Sequence, residues 1–289
     1  MKNDASRPVL VAERARFHDA LMRSILFVSK DGTPSIADKS SKLSRNIARE
    51  LVRQLAGTTA IRAVAGQTAG RGFEIVCAEF VQRSFSAMKL LRPGHWTFKG
   101  IKHNGLALAE FAQYAHLVEL SKAVKGNSAL ATILGSDYLI APDIVIGRFP
   151  ETDAVINDPI LIVDDTVAML ADLRGARSSK PILHASISCK WTIRSDRAQN
   201  SRSEALNLMR NRKGRLPHIV VVIAEPLPAR IASIALGTGD IDCVYHFALP
   251  ELEHAVAASG DEGSRELLAM MVNGRRLKDI ADLPLDLAV

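Results

Sequence analysis

The chain is best entered at Ser186 to Arg197, SISCKWTIRSDR, where an alternating strand runs into a cluster of charge with a lysine at the seam. In an extended strand, residues two apart share a face. Ser186, Ser188 and Lys190 therefore line one side, and Ile187, Cys189 and Trp191 the other. Taken back to Ile182, this strand delivers Lys190 at its polar end. Immediately beyond, Ser195 or Asp196 is placed to cap a helix running to about Arg212. On that helix Arg197, Ser201, Glu204 and Leu208 keep the spacing of a single face, so Glu204 projects on the side of Arg197.

The surroundings support a sheet. His218 to Ala224 contains an unbroken apolar run, as expected for a central strand covered on both faces. Further strands are predicted over Tyr138 to Ile146 and Asp242 to Leu249. Apolar residues at helical spacing occupy 9–28, 42–56, 70–91 and 106–125, punctuated by Asp31-Gly32, Arg92-Pro93-Gly94 and Gly126-Asn127. The pattern predicts an α/β sheet flanked by helices, in a single domain over 1–289 with a helical N-terminal half. Residues 148–180 hold acids and Gly175, but also the apolar runs Ile160 to Val163 and Val167 to Leu173. They read as an excursion between sheet strands.

Cys77, Cys189 and Cys243 form an odd set with no CxxC or Cys/His clustering, which argues against a disulfide framework or a zinc site. No apolar run is long enough for a membrane span and no signal-like N-terminus is present, so a cytoplasmic protein is expected. Formal net charge is +6, and its distribution matters more than its size. Between Lys190 and Arg215 lie eight Lys/Arg against two acids, which accounts for the whole excess. A polyanion is the partner this implies.

A carboxylate upstream completes a chemical pattern. Pro142-Asp143 is read as the end of a short apolar strand, where Asp143 offers hard oxygen ligands for a divalent ion. Forty-six residues separate Asp143 from Lys190 and thirteen separate Lys190 from Glu204. Pro-Asp, then Ser-Cys-Lys, then Glu is the layout of a PD-(D/E)xK nuclease core with its second acid moved from strand to helix. Ser188 stands where most such nucleases carry Asp or Glu. Arg-x-Asp-Arg directly after the lysine suits base reading, because arginine donates two hydrogen bonds to guanine and aspartate accepts from cytosine N4.

These residues resemble the CCGG family of type II restriction endonucleases. The likeness is carried by HASISCKWTIRSDRAQNSRSEALNLMRNRKGRLPHIVVVIAEP from His184 to Pro226, by GSDYLIAPDI around Asp143 and by the tail VNGRRLKDIADLPLDLAV. It extends from about residue 9 to 289 and is weakest in 148–180 and 250–270. The resemblance implies a PD-(D/E)xK core with a mixed β-sheet flanked by helices, and a Mg²⁺-dependent homotetramer cutting GCCGGC after the first G. It implies that Asp143, the Cys189 carbonyl and Glu204 hold the metal, that Lys190 serves the water or the phosphate, and that Glu74 in GRGFEIVCAEF is a further acid. Arg194, Asp196 and Arg197 match the readers of CCGG. Asp38 and Ser40, Gln67 and Arg230 match those of the outer pair.

Each residue alone also has a plain structural explanation. Asp143 after proline is ordinarily a turn former, Lys190 a solvated edge residue, and Glu204 or Glu74 the polar side of an amphipathic helix. Ser188 suits a bond to neighbouring backbone. Arg194, Asp196 and Arg197 suit a helix cap and solvated charge, and Asp38, Ser40, Gln67 and Arg230 say little by themselves. His184, His218 and His246 fall in strand patterns where a satisfied core histidine is expected, and Trp191, Tyr245 and Phe247 read as sheet packing. Their joint occurrence in order favours the nuclease. The alternatives are a sequence-specific DNA-binding protein with an inactive centre, or a repair or recombination nuclease on the same core. The first would lack Asp143, Lys190 or Glu204, and the second has less need of paired base-reading Arg and Asp.

Overall fold

The computed structural model describes residues 7–55, 66–100, 106–135, 139–193, 195–237 and 239–289. In chain order they form α1 (Val9–Ser24), α2 (Lys42–Leu55), α3 (Gly66–Ser86), β1 (Trp96–Gly100), α4 (Leu117–Lys125), α5 (Ser128–Leu134), β2 (Ile144–Arg148), α6 (Asp153–Ile156), β3 (Ile182–Lys190), α7 (Ser195–Asn211), β4 (His218–Ile223), α8 (Pro228–Ala235), β5 (Cys243–His246), α9 (Leu249–Ser259), α10 (Glu262–Asn273), β6 (Leu277–Asp279) and α11 (Leu283–Asp286). Two 3₁₀ turns lie at Ala107–Glu110 and Ala112–Tyr114. The strand order is β1-β2-β3-β4-β5-β6, antiparallel from β1 to β3 and parallel from β4 to β6. This is the expected mixed sheet flanked by helices. Among the described residues no helix is long and apolar enough to cross a membrane.

The chain divides into two compact units, with β3 and α7 contributing to both. One unit comprises 1–88, 188–202 and 219–289. Its parallel strands are joined by the helices that parallel pairing requires, α8 between β4 and β5, and α9–α10 between β5 and β6. Ile219 to Ala224 are all buried, as the uninterrupted apolar run demands. Phe17 of α1 and Phe80 of α3 pack with their rings tilted and their centres 5.2 Å apart. Gly72 lets α3 approach Ile25, whose side chain a Cβ there would meet at 2.5 Å. Arg14 of α1 forks onto Glu251 of α9 and Asp279 of β6 at 2.6–2.9 Å, fixing the helix to the strand end.

The other unit comprises 89–187 and 203–218. Here β2 pairs with β1 and β3, and its register against β3 shifts between Ile146 and Gly147. Beside this irregularity the Gln113 amide both donates to the Leu183 carbonyl and accepts its N–H, each at 2.8 Å, imitating a strand partner. The excursion over 148–180 is tied to itself. The buried Arg174 forks onto Asp153 at 2.7 Å and also donates to the Val167 carbonyl at 2.7 Å.

Several expectations are corrected. Asp143 does not end a strand; β2 begins one residue after it, because Pro142 has no N–H to give a ladder and suits the entry to a strand. The predicted helix over 106–125 is two 3₁₀ turns followed by α4, and the helix over 70–91 stops at Ser86. β1 lies in the half expected to be helical. Ser186 and Ser188 are both buried, so β3 is covered on both faces between its ends.

Candidate functional site

β3 ends at Lys190, which is half-buried, and the chain reaches the start of α7 within five residues. The turn between them is held at both ends. The Lys190 carbonyl accepts the Ala224 N–H at 3.0 Å, and the Ile193 N–H donates to the Glu225 carboxylate at 2.9 Å. Two consecutive residues after β4 thus clamp the four-residue segment Lys190 to Ile193. Inside it, Trp191 is buried with its ring centre 5.2 Å from Phe73 and 6.5 Å from Phe247. Phe73 precedes Glu74 on α3, and Glu74 is half-buried.

Glu225 is wholly buried. Its second oxygen accepts the Leu227 N–H at 3.2 Å, and Arg230 Nη1 lies 3.8 Å away. Burial pushes its carboxyl up to about 7, against the opposing pull of the Ile193 N–H, Arg230 and the Leu227 N–H. Its carbonyl meets His246 Nε2 at 3.2 Å. His246 Nδ1 accepts the Ala248 N–H at 3.1 Å, so Nε2 carries the proton and donates. Burial pushes this imidazole down to about 4, and it is neutral. His246 is the satisfied core histidine the strand pattern suggested.

Arg230 also pairs with Asp38. Asp38 Oδ1 accepts the Ser40 N–H at 2.9 Å and the Ser40 hydroxyl at 2.7 Å, an Asx-type turn in the loop before α2. Ser40 first, then Arg230, hold the Asp38 carboxyl below its ordinary range. Asp38 and Ser40 form one bonded cluster with Arg230, 192 positions away in the chain, at the edge of Glu225.

The remaining candidates are positioned less fully. Asp143 is half-buried at the entry to β2, and Glu204 is half-buried on α7, one turn from the buried Ser201 and Leu208. The Cys189 thiol and the Ser188 hydroxyl are buried. Arg194 lies outside the described residues, as do the side chains of Asp196, Arg197 and Gln67; the backbone of these three is helical, in α7 and α3. Glu225 was missed by the sequence reading. The signal was a carboxylate placed directly after the apolar run Ile219 to Ala224, in the loop Glu225-Pro226-Leu227-Pro228.

Comparison with known proteins identifies the context. A family model described as NgoMIV restriction enzyme matches residues 17–289. The type II restriction enzyme NgoMIV of Neisseria gonorrhoeae is 54% identical over 284 residues, covering 98% of this chain and 99% of that protein. Among solved structures, the type IIF restriction endonuclease Bse634I with cognate DNA is 15% identical with a TM-score of 0.34, covering 94% of this chain and 92% of that one.

Proposed function

The chain belongs to the NgoMIV restriction enzyme family and is a type II restriction endonuclease, and from that premise we propose that it hydrolyses duplex DNA at GCCGGC, cutting after the first G to leave 5′ overhangs, with Mg²⁺ as its metal. The match over 17–289 favours a single restriction-endonuclease-like domain. One observation carries the site reading. The strand bearing Lys190 turns within a few residues into the start of α7, which carries Asp196 and Arg197, and Ala224-Glu225 hold that turn beside the Asp38–Ser40–Arg230 cluster.

The donor chemistry suits a hard cation. Asp143 and Glu204 carry half-buried carboxylates, and Cys189, its thiol buried, offers its main-chain carbonyl. Among the described residues no group of three or more His, Cys, Asp or Glu is placed to hold a metal ion. When bound, the ion stabilises charge developing on the phosphate oxygens. Lys190 orients the attacking water or offsets phosphate charge, Glu74 is a further acid, and Ser188 stands at the position most relatives of this core give to an acid. Arg194, Asp196 and Arg197 read CCGG; Asp38, Ser40, Gln67 and Arg230 read the outer pair.

We also read the enzyme as a homotetramer engaging two sites. Support comes from the excursion in 148–180, where Ile160, Leu161, Ile162 and Leu170 are exposed, the last at 95%. A second copy of the chain is the occupant such an apolar surface suits. The deciding experiment is digestion of a plasmid with Mg²⁺ followed by sequencing of the fragment ends. Ends at G/CCGGC are expected, and ends elsewhere would overturn the specificity. Lys190→Ala should lose single-turnover cleavage while binding in Ca²⁺ stays near wild type, because the lysine acts on the transition state more than on the bound ground state.

A further inference from the structure

We propose that Glu225 is a positioning residue for sequence readout, its buried carboxylate joining the main chain that leads into Arg194, Asp196 and Arg197 to the Arg230–Asp38 pair. The inference rests on the reading of those residues as base readers. It goes beyond that reading by naming a residue that touches no base and yet governs both sets.

The contacts of Glu225 carry it. Glu225 accepts the N–H of Ile193, the residue immediately before Arg194, at 2.9 Å. It faces Arg230 at 3.8 Å, while Arg230 pairs with Asp38. Its own backbone is held by His246 Nε2 at 3.2 Å and, through Leu227 N–H, by its second oxygen at 3.2 Å, so the carboxylate has little room to follow either partner. A wholly buried carboxylate is costly unless it is hydrogen-bonded, and here the Ile193 and Leu227 N–H groups satisfy its two oxygens. Ala224, next to it, fixes the Lys190 carbonyl. The residues after β4 therefore set the turn between lysine and inner readers, and Glu225 alone extends that control to the outer readers. Base contacts need their donors placed to within a fraction of an ångström, so a shared anchor of this kind sets specificity without direct contact.

The two arms separate by substitution. In Glu225→Gln an amide oxygen remains to accept the Ile193 N–H, but the acceptor of the Leu227 N–H and the negative charge facing Arg230 are gone. In Glu225→Ala the acceptor of the Ile193 N–H is gone as well. Full-length protein in Ca²⁺, at a pH above the Glu225 value of about 7 so that its carboxyl is ionised, would be titrated with GCCGGC, with ACCGGT and with a duplex altered at its centre. Because each preference is a ratio measured on one preparation, a smaller folded fraction cancels.

For Glu225→Gln the advantage of GCCGGC over ACCGGT should fall about tenfold while preference for the CCGG centre holds within about twofold. For Glu225→Ala both preferences should fall. If the alanine variant does not fold, the glutamine variant alone decides, since an unchanged outer-pair advantage in it overturns the proposal. Equal weakening on all three duplexes with unchanged ratios overturns it too, as that is the behaviour of a scaffold residue. Should the wild-type protein itself show no preference for GCCGGC, the underlying function is wrong, which the same titrations separate from a failure of Glu225.

Discussion

Two arginines in the same unit are each paired with distant carboxylates, and the pairings differ in kind. Arg14 uses Nε, Nη1 and Nη2 together, forking onto Glu251 and Asp279 at 2.6–2.9 Å. Burial works against its charge, but the two carboxylates hold its pKa above the usual value. Among the described residues the Arg230 side chain donates a single hydrogen bond, to Asp38, with Glu225 3.8 Å off. A guanidinium carries five donors in a rigid fork. Where the fold takes up the fork, as at Arg14, the residue holds elements together. Where most of it is left over, directional donors remain to meet a base edge.

The largest effect should come from Arg14. Arg14→Ala strands two part-buried carboxylates between α1, α9 and β6, and breaking a buried pair from one side costs on the order of 3–5 kcal/mol. Chemical denaturation should show that loss, while the preference of the folded protein for GCCGGC over ACCGGT stays at wild type. A change in base preference would break the contrast by making Arg14 part of the reader.

Glu225 gives a second, pH-dependent effect on stability. Its carboxyl is raised from 4.5 to about 7, so the folded state holds its proton more tightly than the unfolded chain does. The stability this contributes is fully present below pH 4.5 and is lost as pH rises through about 7. Relative to Glu225→Gln, wild type should lose about 3 kcal/mol across that window, at 1.36 kcal/mol for each tenfold step. The difference between the two proteins is the informative quantity, because His246 and other groups titrate in both. A flat difference would mean that Glu225 is not buried as described.

Arg230 and Asp38 sharpen the contrast from the other side. Each pairs with its partner at a part-exposed position, where an ion pair is worth about 1 kcal/mol or less, so either alanine variant should stay close to wild type in stability. Each should nonetheless narrow the outer-pair preference by roughly 1–3 kcal/mol. Since the two side chains touch, their effects should not add. A double-mutant cycle on binding to GCCGGC should give a coupling of about 0.5 kcal/mol or more. Independent effects would mean the two leave one another when DNA arrives.

What was legible in the sequence follows from how local each signal is. The β3–α7 seam could be read because strand period, helix spacing and the lysine lie within one short stretch, and the apolar run Ile219 to Ala224 announced a central strand. β1 and β6 are short and carry charged residues, as Lys99 and as Lys278 with Asp279, so neither period nor composition marked them; pairing with their neighbours makes them strands. Asp38 and Arg230 were named separately by resemblance. Their ion pair depends on tertiary structure joining residues 192 positions apart, and nothing in local pattern carries that. The same holds for Glu225, whose importance comes from its reach to Ile193 across 32 positions.

The smallest effect concerns Arg202, one of the eight basic residues that the charge argument assigned to a polyanion. In the structure it pairs with Asp240 at 2.5 Å and donates to the carbonyls of Ser233, Ile234 and Leu236, the last carbonyls of α8 and just beyond. A cation there satisfies groups that a helix end leaves open and complements its dipole. Arg202 therefore resembles Arg14, although it lies in the basic segment. Phosphate contacts lower log K with log[salt] by about 0.9 for each charge neutralised. Arg202→Gln should leave that slope unchanged to within about 0.3 while lowering the unfolding temperature, because its charge is already committed inside the fold. Lys213→Gln and Arg215→Gln, at exposed positions, should each reduce the slope by about 0.9 if their side chains meet the backbone. A full charge lost from the slope in Arg202→Gln would show that an arginine with a saturated fork still reaches DNA, and the distinction drawn from Arg14 and Arg230 would not hold.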